Sequence, residues 1–479
     1  SPPAQAALLY LDVLRSAFPQ ALALRGTARF CWAPGGARAA AAWPLPTLYC
    51  TPGGTGAVPS RAAALRLQLL VALRERGLRV LEAALPSELL DALAALRAAW
   101  PSLADDLELG WLSPCPELPA GTQRQLQALL SPDAARAAEL RAECARGFEG
   151  IVRRLWPQLQ VVVVGTAHGG EHLYCEALRQ GDCKGLPIYC PFYQVNGALL
   201  GMNLWPEEPS PRFLLCPDWA FCEFLPCAAT EPPPVPTALL GELWEGREYE
   251  LVLTAQPGHY RCTRPRCART LPVRPRCTVT VTPWPRRRRA GEVLRVSGFR
   301  RQCPVVEPVR RESQTLSVRG ERVPEERFLQ SLRRAVALWP GARLVDYVCA
   351  ESALLGEHPA RAAGAGGAGA AARHAPDALV GPPGASSGAG APHYEVFVEL
   401  QGLRDLSEEQ RSKLDHCLQQ DFPTYKSFRF KGSIGTLRLH LVAPGAFARL
   451  REAAGSPQPM PRLLRDRRLL SAIQSSVIS

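Results

Sequence analysis

The segment Tyr49-Cys50-Thr51-Pro52-Gly53-Gly54-Thr55-Gly56-Ala57-Val58-Pro59-Ser60-Arg61 puts small residues and hydroxyls directly ahead of a run with helical spacing. Such a turn can hold an anion. Glycines let phosphate oxygens approach the backbone, and amides and hydroxyls at a helix N-terminus donate to them. The Gly-Lys-Ser/Thr ending of a Walker A loop is missing. The loop is therefore only a general anion-binding candidate, and Gly54 and Thr55 are equally what a helix start requires. Lysines that could assist are scarce: Lys184, Lys413, Lys426 and Lys431 are the four present.

His168 and His172 flank Gly169-Gly170 and read as solvated or structural loop histidines. The 16 cysteines include no Cys-x-x-Cys pair. No histidine stands at finger spacing from Cys216, Cys222 and Cys227, so no metal centre is expected. Most cysteines flank strand-like runs and read as buried small hydrophobes.

The net charge of +12 invites a nucleic-acid reading, but nine arginines and no acid fall in Thr263 to Ala290, leaving a net charge of +3 on the rest. A nucleic-acid footprint spreads over one face and interleaves with aromatics. This single segment does not, so no specific nucleic acid is expected. No apolar run reaches the roughly 18 residues of a membrane span. The cysteine load and the absence of methionine at Ser1 point to the endoplasmic reticulum or secretory route, with the cytoplasm as the alternative.

These residues need a scaffold, and 479 residues at 47% hydrophobic composition can build one of two domains. Helical periodicity covers Arg61 to Arg76, Ser87 to Ala99 and Pro132 to Leu155. Strand-like runs follow at Leu159 to Val164, Leu186 to Tyr193, Arg212 to Cys216, Cys222 to Leu225 and Glu248 to Leu253. The expectation is a large α/β domain over residues 1–310, interrupted by the basic, proline-rich Thr263 to Ala290, for which no secondary structure is suggested. Residues 311–479 read as a small α+β domain, ferredoxin-like in pattern. Its strands are expected at Gln314 to Val318, Arg343 to Cys349, Tyr394 to Leu400, Ser427 to Phe430 and Leu437 to Val442. Its helices are expected at Pro324 to Trp339, Ser407 to Gln419 and Ala446 to Ala454. Pro359 to Pro392, dominated by Ala, Gly and Pro, reads as an inserted flexible linker.

Several collinear segments then carry a resemblance. Gly54-Thr55 and Arg61 match the Gly-Thr and the lysine of a loop of the form SSGTSxGxxK. Phe148-Glu149-Gly150-Ile151, Leu155-Trp156-Pro157 and Val161 to Gly165 follow in order. Tyr193 to Leu204 is similar to YASSExxxGxNL, and Pro217 to Pro226 to PNMAYFEFLP. Gly246 to Thr254, Gly258 to Arg261 and Gly291 to Phe299 are similar to GKEYELVLT, GLYR and GDVLRVTGF. Together they resemble the Gretchen Hagen acyl-acid amido synthetases.

That resemblance implies an adenylate-forming fold with a large N-terminal and a small C-terminal domain. It implies ATP and Mg²⁺ as cofactors, and a carboxylic acid and an amino acid as ligands. Tyr193 and Glu292 join Gly54, Thr55 and Arg61 as candidate nucleotide contacts, Glu292 standing where the family's ribose-binding aspartate is. A metal role would fall to Glu223. Several family groups are replaced. Gly197 occupies the position of the glutamate expected near metal and adenylate, with Val195 and Asn196 where two serines precede it. The lysine of a C-terminal YKTPR-like sequence has no counterpart in Gln458-Pro459-Met460-Pro461-Arg462, and Lys431, expected on a solvated hairpin, is the only substitute nearby. No catalytic residue is therefore assigned. The resulting expectation is a catalytically degenerate binding or scaffold module. The alternatives are a working acid–amino acid ligase and a protein that interacts through its basic segment.

Overall fold

The computed structural model describes residues 2–33, 46–52, 55, 58–113, 120–128, 130–166, 169–195, 197–227, 236–255, 286–355, 391–455 and 458–479. They divide into two units. The first comprises Ser1–Gln314 with Arg451–Pro461, and the second Thr315–Leu450 with Arg462–Ser479.

The first unit opens with α1 (Pro2–Ala17), β1 (Thr27–Phe30), α2 (Arg61–Arg74), β2 (Val80–Ala83), α3 (Pro86–Leu109), α4 (Ala120–Gln127), α5 (Ala134–Ala145), α6 (Ile151–Leu155), β3 (Val161–Val164), α7 (His172–Gln180) and β4 (Ile188–Tyr189). The four strands form a parallel sheet in the order β1-β2-β3-β4. Its strands are buried on both faces, which is why β3 is an unbroken run of valines. Alternation divides that run. Val161 and Val163 pack with Tyr10 and Leu14 of α1 and with Phe18 just after it. Val162 and Val164 belong to the larger core with Leu69 and Leu70 of α2 and Leu89 and Leu93 of α3.

The helical run expected over Pro132 to Leu155 is two helices, broken at Gly147 to Gly150. The helix expected to end at Ala99 instead continues to Leu109, through a non-helical Ala99 two residues before Pro101.

The chain then forms β5 (Phe192–Val195), β6 (Ala198–Met202), β7 (Phe213–Leu215), β8 (Phe221–Pro226), β9 (Glu248–Ala255), β10 (Arg286–Arg300) and β11 (Cys303–Arg311). These make a sheet in the order β5-β6-β7-β11-β10-β9-β8. The end of the basic segment is not structureless. Arg286 to Arg289 pair with Ala255 to Val252 as the first part of β10; Thr263 to Pro285 lies outside the described residues. Gly201 of β6 lies where β6 meets β7, and a β-carbon there would sit 2.6 Å from the carbonyl oxygen of Leu214. Gly201→Ala must therefore push two paired strands apart. It is expected to cost about 1–3 kcal/mol, checked by equilibrium denaturation; an unchanged midpoint would contradict it.

The remaining elements are β12 (Thr315–Leu316), β13 (Val323–Pro324), α8 (Glu325–Ala337), β14 (Arg343–Glu351), β15 (Tyr394–Gln401), α9 (Glu408–Asp421), α10 (Pro423–Phe430), β16 (Arg438–Leu441), α11 (Ala446–Ala454), β17 (Leu463–Leu464) and α12 (Arg467–Gln474), all in the second unit except α11 from Arg451 on, which belongs to the first. The main sheet of the second unit has the order β16-β15-β14-β17. Two expectations are corrected. Gln314 to Val318 does not supply a strand of this sheet: Thr315–Leu316 pairs with Val323–Pro324 in a separate ribbon. Ser427 to Phe430 is helical and belongs to α10. The alternating Phe428-Arg429-Phe430 mimics a strand, but Pro423 begins a helix. Within that helix Tyr425 and Arg429 both reach Asp415 of α9. Lys431 is accordingly an exposed helix C-cap rather than a hairpin residue. The linker Pro359 to Pro392 lies almost wholly outside the described residues.

Candidate functional site

The candidate phosphate loop sits between β1 and α2. Gly54 lies outside the described residues. Thr55 is 3% exposed. Its hydroxyl donates to Pro52 O at 3.0 Å and accepts from Gln68 Nε2 at 3.3 Å. Gln68 is itself fixed on the backbone of Cys31. The Trp32 indole donates to Val58 O at 3.0 Å. Thr55 and Val58 are thus buried, and the hydrogen bonds of the Thr55 hydroxyl and the Val58 carbonyl tie the loop to α2 and to the residues after β1.

Arg61, first residue of α2, is also buried. Its Nε and Nη2 donate to Asp91 Oδ2 at 3.1 and 2.9 Å, and Nη1 lies 3.8 Å from Glu88 Oε1. Asp91 is shared. Arg451 donates to it through Nε at 3.1 Å and Nη2 at 2.5 Å. Arg451 also donates to Tyr174 Oη at 2.9 Å, with its guanidinium 5.1 Å from that ring's centroid. Burial alone would raise the Asp91 carboxyl; Arg451 and Arg61 outweigh it and hold the group below the ordinary carboxylate range.

Glu88 differs from Asp91. It accepts from the amides of Trp32 at 2.8 Å and Leu85 at 3.1 Å, capping the N-terminus of α3. Burial pushes it up to about 7, against the pull of Arg61 and these amides. The cation at the family's lysine position is therefore committed to two carboxylates of the same unit. Sequence reading missed Glu88, Asp91 and Arg451; only Pro86-Ser87-Glu88, a helix-start pattern, hinted at the first.

A second cluster lies on the larger sheet. Tyr193 of β5 is fully buried and stacks on Phe213 of β7 with ring centroids 5.3 Å apart. Burial raises its phenol well above the ordinary value, and Glu292 adds to this through its charge. Tyr193 and Glu292, distant in sequence, therefore share one environment. Glu292 is 5% exposed and sits directly across the β10–β11 register from Arg311, with which it forms an ion pair. Burial pushes its carboxyl up to about 7, opposed by Arg311. Arg311 was not singled out from sequence. Its only signal is the register that a hairpin after Gly291-Glu292 imposes.

The remaining candidates are dispersed. Val195 pairs with Ala198, which places Gly197 in the connection between β5 and β6, while Asn196 lies outside the described residues. Gly197 has φ +82° and open space around its α-carbon. Glu223 of β8 accepts from Thr237 Oγ1 at 2.9 Å. His172 starts α7 and pairs with Glu176 at 3.1 Å; His168 lies outside the described residues. Arg462 is buried in the second unit against Asp346 and the ring of Tyr347. Among the described residues no three His, Cys, Asp or Glu side chains converge to hold a metal ion. No helix among them is long and apolar enough to cross a membrane.

Comparison with known proteins adds the family. Residues 35–188 match the GH3 family N-terminal domain, 213–264 the central domain and 383–461 the C-terminal domain. A human "GH3 domain-containing protein" is 40% identical over 482 residues, covering 99% of this chain and 76% of its own. The chain belongs to the GH3 family. A rice "Indole-3-acetic acid-amido synthetase GH3.8" is 28% identical, covering 83% of this chain and 59% of its own. The solved structure of "GH3.15 acyl acid amido synthetase" superposes with a TM-score of 0.69 at 23% identity, over 91% of this chain and 68% of that one. This GH3 chain thus has the mixed α/β fold of the acyl acid amido synthetases, as its sequence motifs implied.

Proposed function

We propose that this GH3 chain keeps the synthetase fold as a binding or scaffold module and has lost acid adenylation. The observation that carries this is Gly197. Where the family resemblance calls for a carboxylate near metal and adenylate, this chain has a glycine at φ +82°, without a side chain. Two further features support the reading. Arg61, the counterpart of the loop lysine, is spent on Asp91 and Glu88, so charge building up on a leaving phosphate would find it already neutralised. The segment Gln458 to Arg462 contains no lysine. The residues present do not fit Mg²⁺, and no catalytic step is assigned to it. The test is incubation with ATP, Mg²⁺ and pooled carboxylic and amino acids, followed by mass spectrometry. No AMP or amide above the protein-free control is expected; acid-dependent AMP would overturn the reading.

The second reading, an ATP-dependent acid–amino acid ligase, is favoured by the shared environment of Tyr193 and Glu292. Glu292 would then hold the ribose and Thr55 and Arg61 the phosphates, with Glu223 toward the metal. If Glu292→Ala left nucleotide binding unchanged, this reading would fail. Small carboxylic acids and amino acids remain the proposed ligands under either reading. The endoplasmic reticulum or secretory route is the proposed compartment, and a protein interaction through Thr263 to Ala290 is a third role.

A further inference from the structure

Cys216 follows β7 and Cys303 begins β11, and both thiols are free. The strand register brings them together. Leu214 pairs with Val305 and Phe213 with Val306 in antiparallel β7 and β11. Two residues further along the same register, Cys216 stands opposite Cys303. Opposed residues of an antiparallel pair share a face. Phe213, Leu215 and Val306 take the face of the larger core. Alternation gives Cys216 and Cys303 the other face, where Cys216 packs against the cluster that includes Tyr10 and Leu14 of α1.

The hydrogen bonds around the pair set its spacing. The Cys216 amide donates to Leu200 O of β6 at 2.9 Å, away from β11. Cys303 is registered with Arg300 across the β10–β11 turn, on the side away from β7. Opposed residues whose amides turn outward form the close, non-hydrogen-bonded kind of pair, with α-carbons about 4.5 Å apart. That lies within the roughly 4.4–6.8 Å that a disulfide spans. Both strand ends are open to solvent. Pro217 and Asp218 after Cys216 are exposed, as are Arg301 and Gln302 before Cys303. The exposed Arg300 and Arg301 put positive charge beside Cys303, which favours an anionic reagent there. Burial first, then the charges of Cys303 and Asp218, push the Cys216 thiol up to about 11. The Cys216 thiolate is therefore scarce, which makes Cys303 the attacking thiol and Cys216 the resolving one.

We propose that Cys216 and Cys303 are a reversible dithiol–disulfide site whose oxidant is an anionic low-molecular-weight disulfide. The Cys303 thiolate attacks one sulfur of the reagent, forming a mixed disulfide and expelling the other half as a thiolate. Cys216 Sγ, losing its proton to solvent, then attacks Cys303 Sγ, and the second half of the reagent leaves as a thiolate. The protein loses two electrons and two protons, and the S–S bond of the reagent becomes two thiols. The new bond ties β7 to β11 at the seam where strands β5-β6-β7 meet β11-β10-β9-β8.

The test is incubation of the full chain with glutathione disulfide, alkylation of the remaining thiols, digestion and mass spectrometry. The expected product is a linked peptide pair joining Cys216 to Cys303, lighter by two hydrogens than its separate peptides and split by dithiothreitol. In Cys216→Ser, which lacks the resolving thiol, glutathione held on Cys303 is expected to rise roughly tenfold over wild type. Both cysteines alkylated in wild type, either one linked elsewhere, or equal glutathione on Cys303 in wild type and variant overturns the proposal. Should the variant fail to fold, the wild-type map alone decides.

Discussion

Asp91→Ala is expected to cost about 3–5 kcal/mol of folding stability, the loss that follows when a buried ion pair keeps its cations and loses its anion. Asp91 receives two hydrogen bonds from Arg61 and two from Arg451. The side chains of Arg61 and Arg451 are 4% and 8% exposed. Neither guanidinium could turn to water without moving the helices around it. Glu88 is 3.8 Å from Arg61 and leans toward its neutral form, so it compensates poorly. Denaturation of wild type and variant measures the cost. A loss below about 1 kcal/mol, typical of exposed pairs, would mean that the arginines are hydrated and that Arg61 is free to meet a phosphate after all.

Glu292→Gln is expected to stabilise the protein relative to wild type progressively as pH rises. Glu292 titrates at about 7 when folded, against 4.5 for an ordinary glutamate. Its folded form therefore binds the extra proton between those values, and wild-type stability falls as pH increases through that window. Over the whole window the change approaches about 3 kcal/mol, at 1.36 kcal/mol per pH unit. Glutamine, which never ionises, escapes it. Glu88 shifts in the same direction, so comparing variant with wild type, rather than wild type alone across pH, isolates Glu292. Denaturation midpoints from about pH 5 to 8 supply the check, over the range where the shift is active. A difference that stays flat with pH would show that Arg311 fully neutralises the carboxylate.

The fold was legible where periodicity and collinear motifs agreed. The valine run of β3 and the segment Glu248 to Ala255 are strands because of local pattern. The same local reasoning could not register that Arg286 to Arg289 extend β10: a polybasic run has no alternation, and only its pairing with β9 makes it a strand. Phe428 to Phe430 failed for the opposite reason, since a strand-like alternation was overridden by Pro423 and the Asp415 contacts. At the site, residue types were readable but their commitments were not. Arg61 stood out as a phosphate candidate because composition shows a charge without showing its partners. Asp91 lies 30 positions from Arg61, and Arg451 360 from Asp91. Glu292 was found through its motif, while Arg311 depended on the register of a hairpin. Gly197 alone carried its meaning openly, because a glycine cannot supply a carboxylate in any fold.

The central claim, that this GH3 chain no longer adenylates acids, is met most directly by ATP–pyrophosphate exchange. Folded protein with Mg·ATP, labelled pyrophosphate and a panel of aromatic and aliphatic carboxylic acids is predicted to give no acid-dependent label in ATP. Label that appears with any one acid, and disappears in Glu292→Ala, would contradict the account and establish a working ligase.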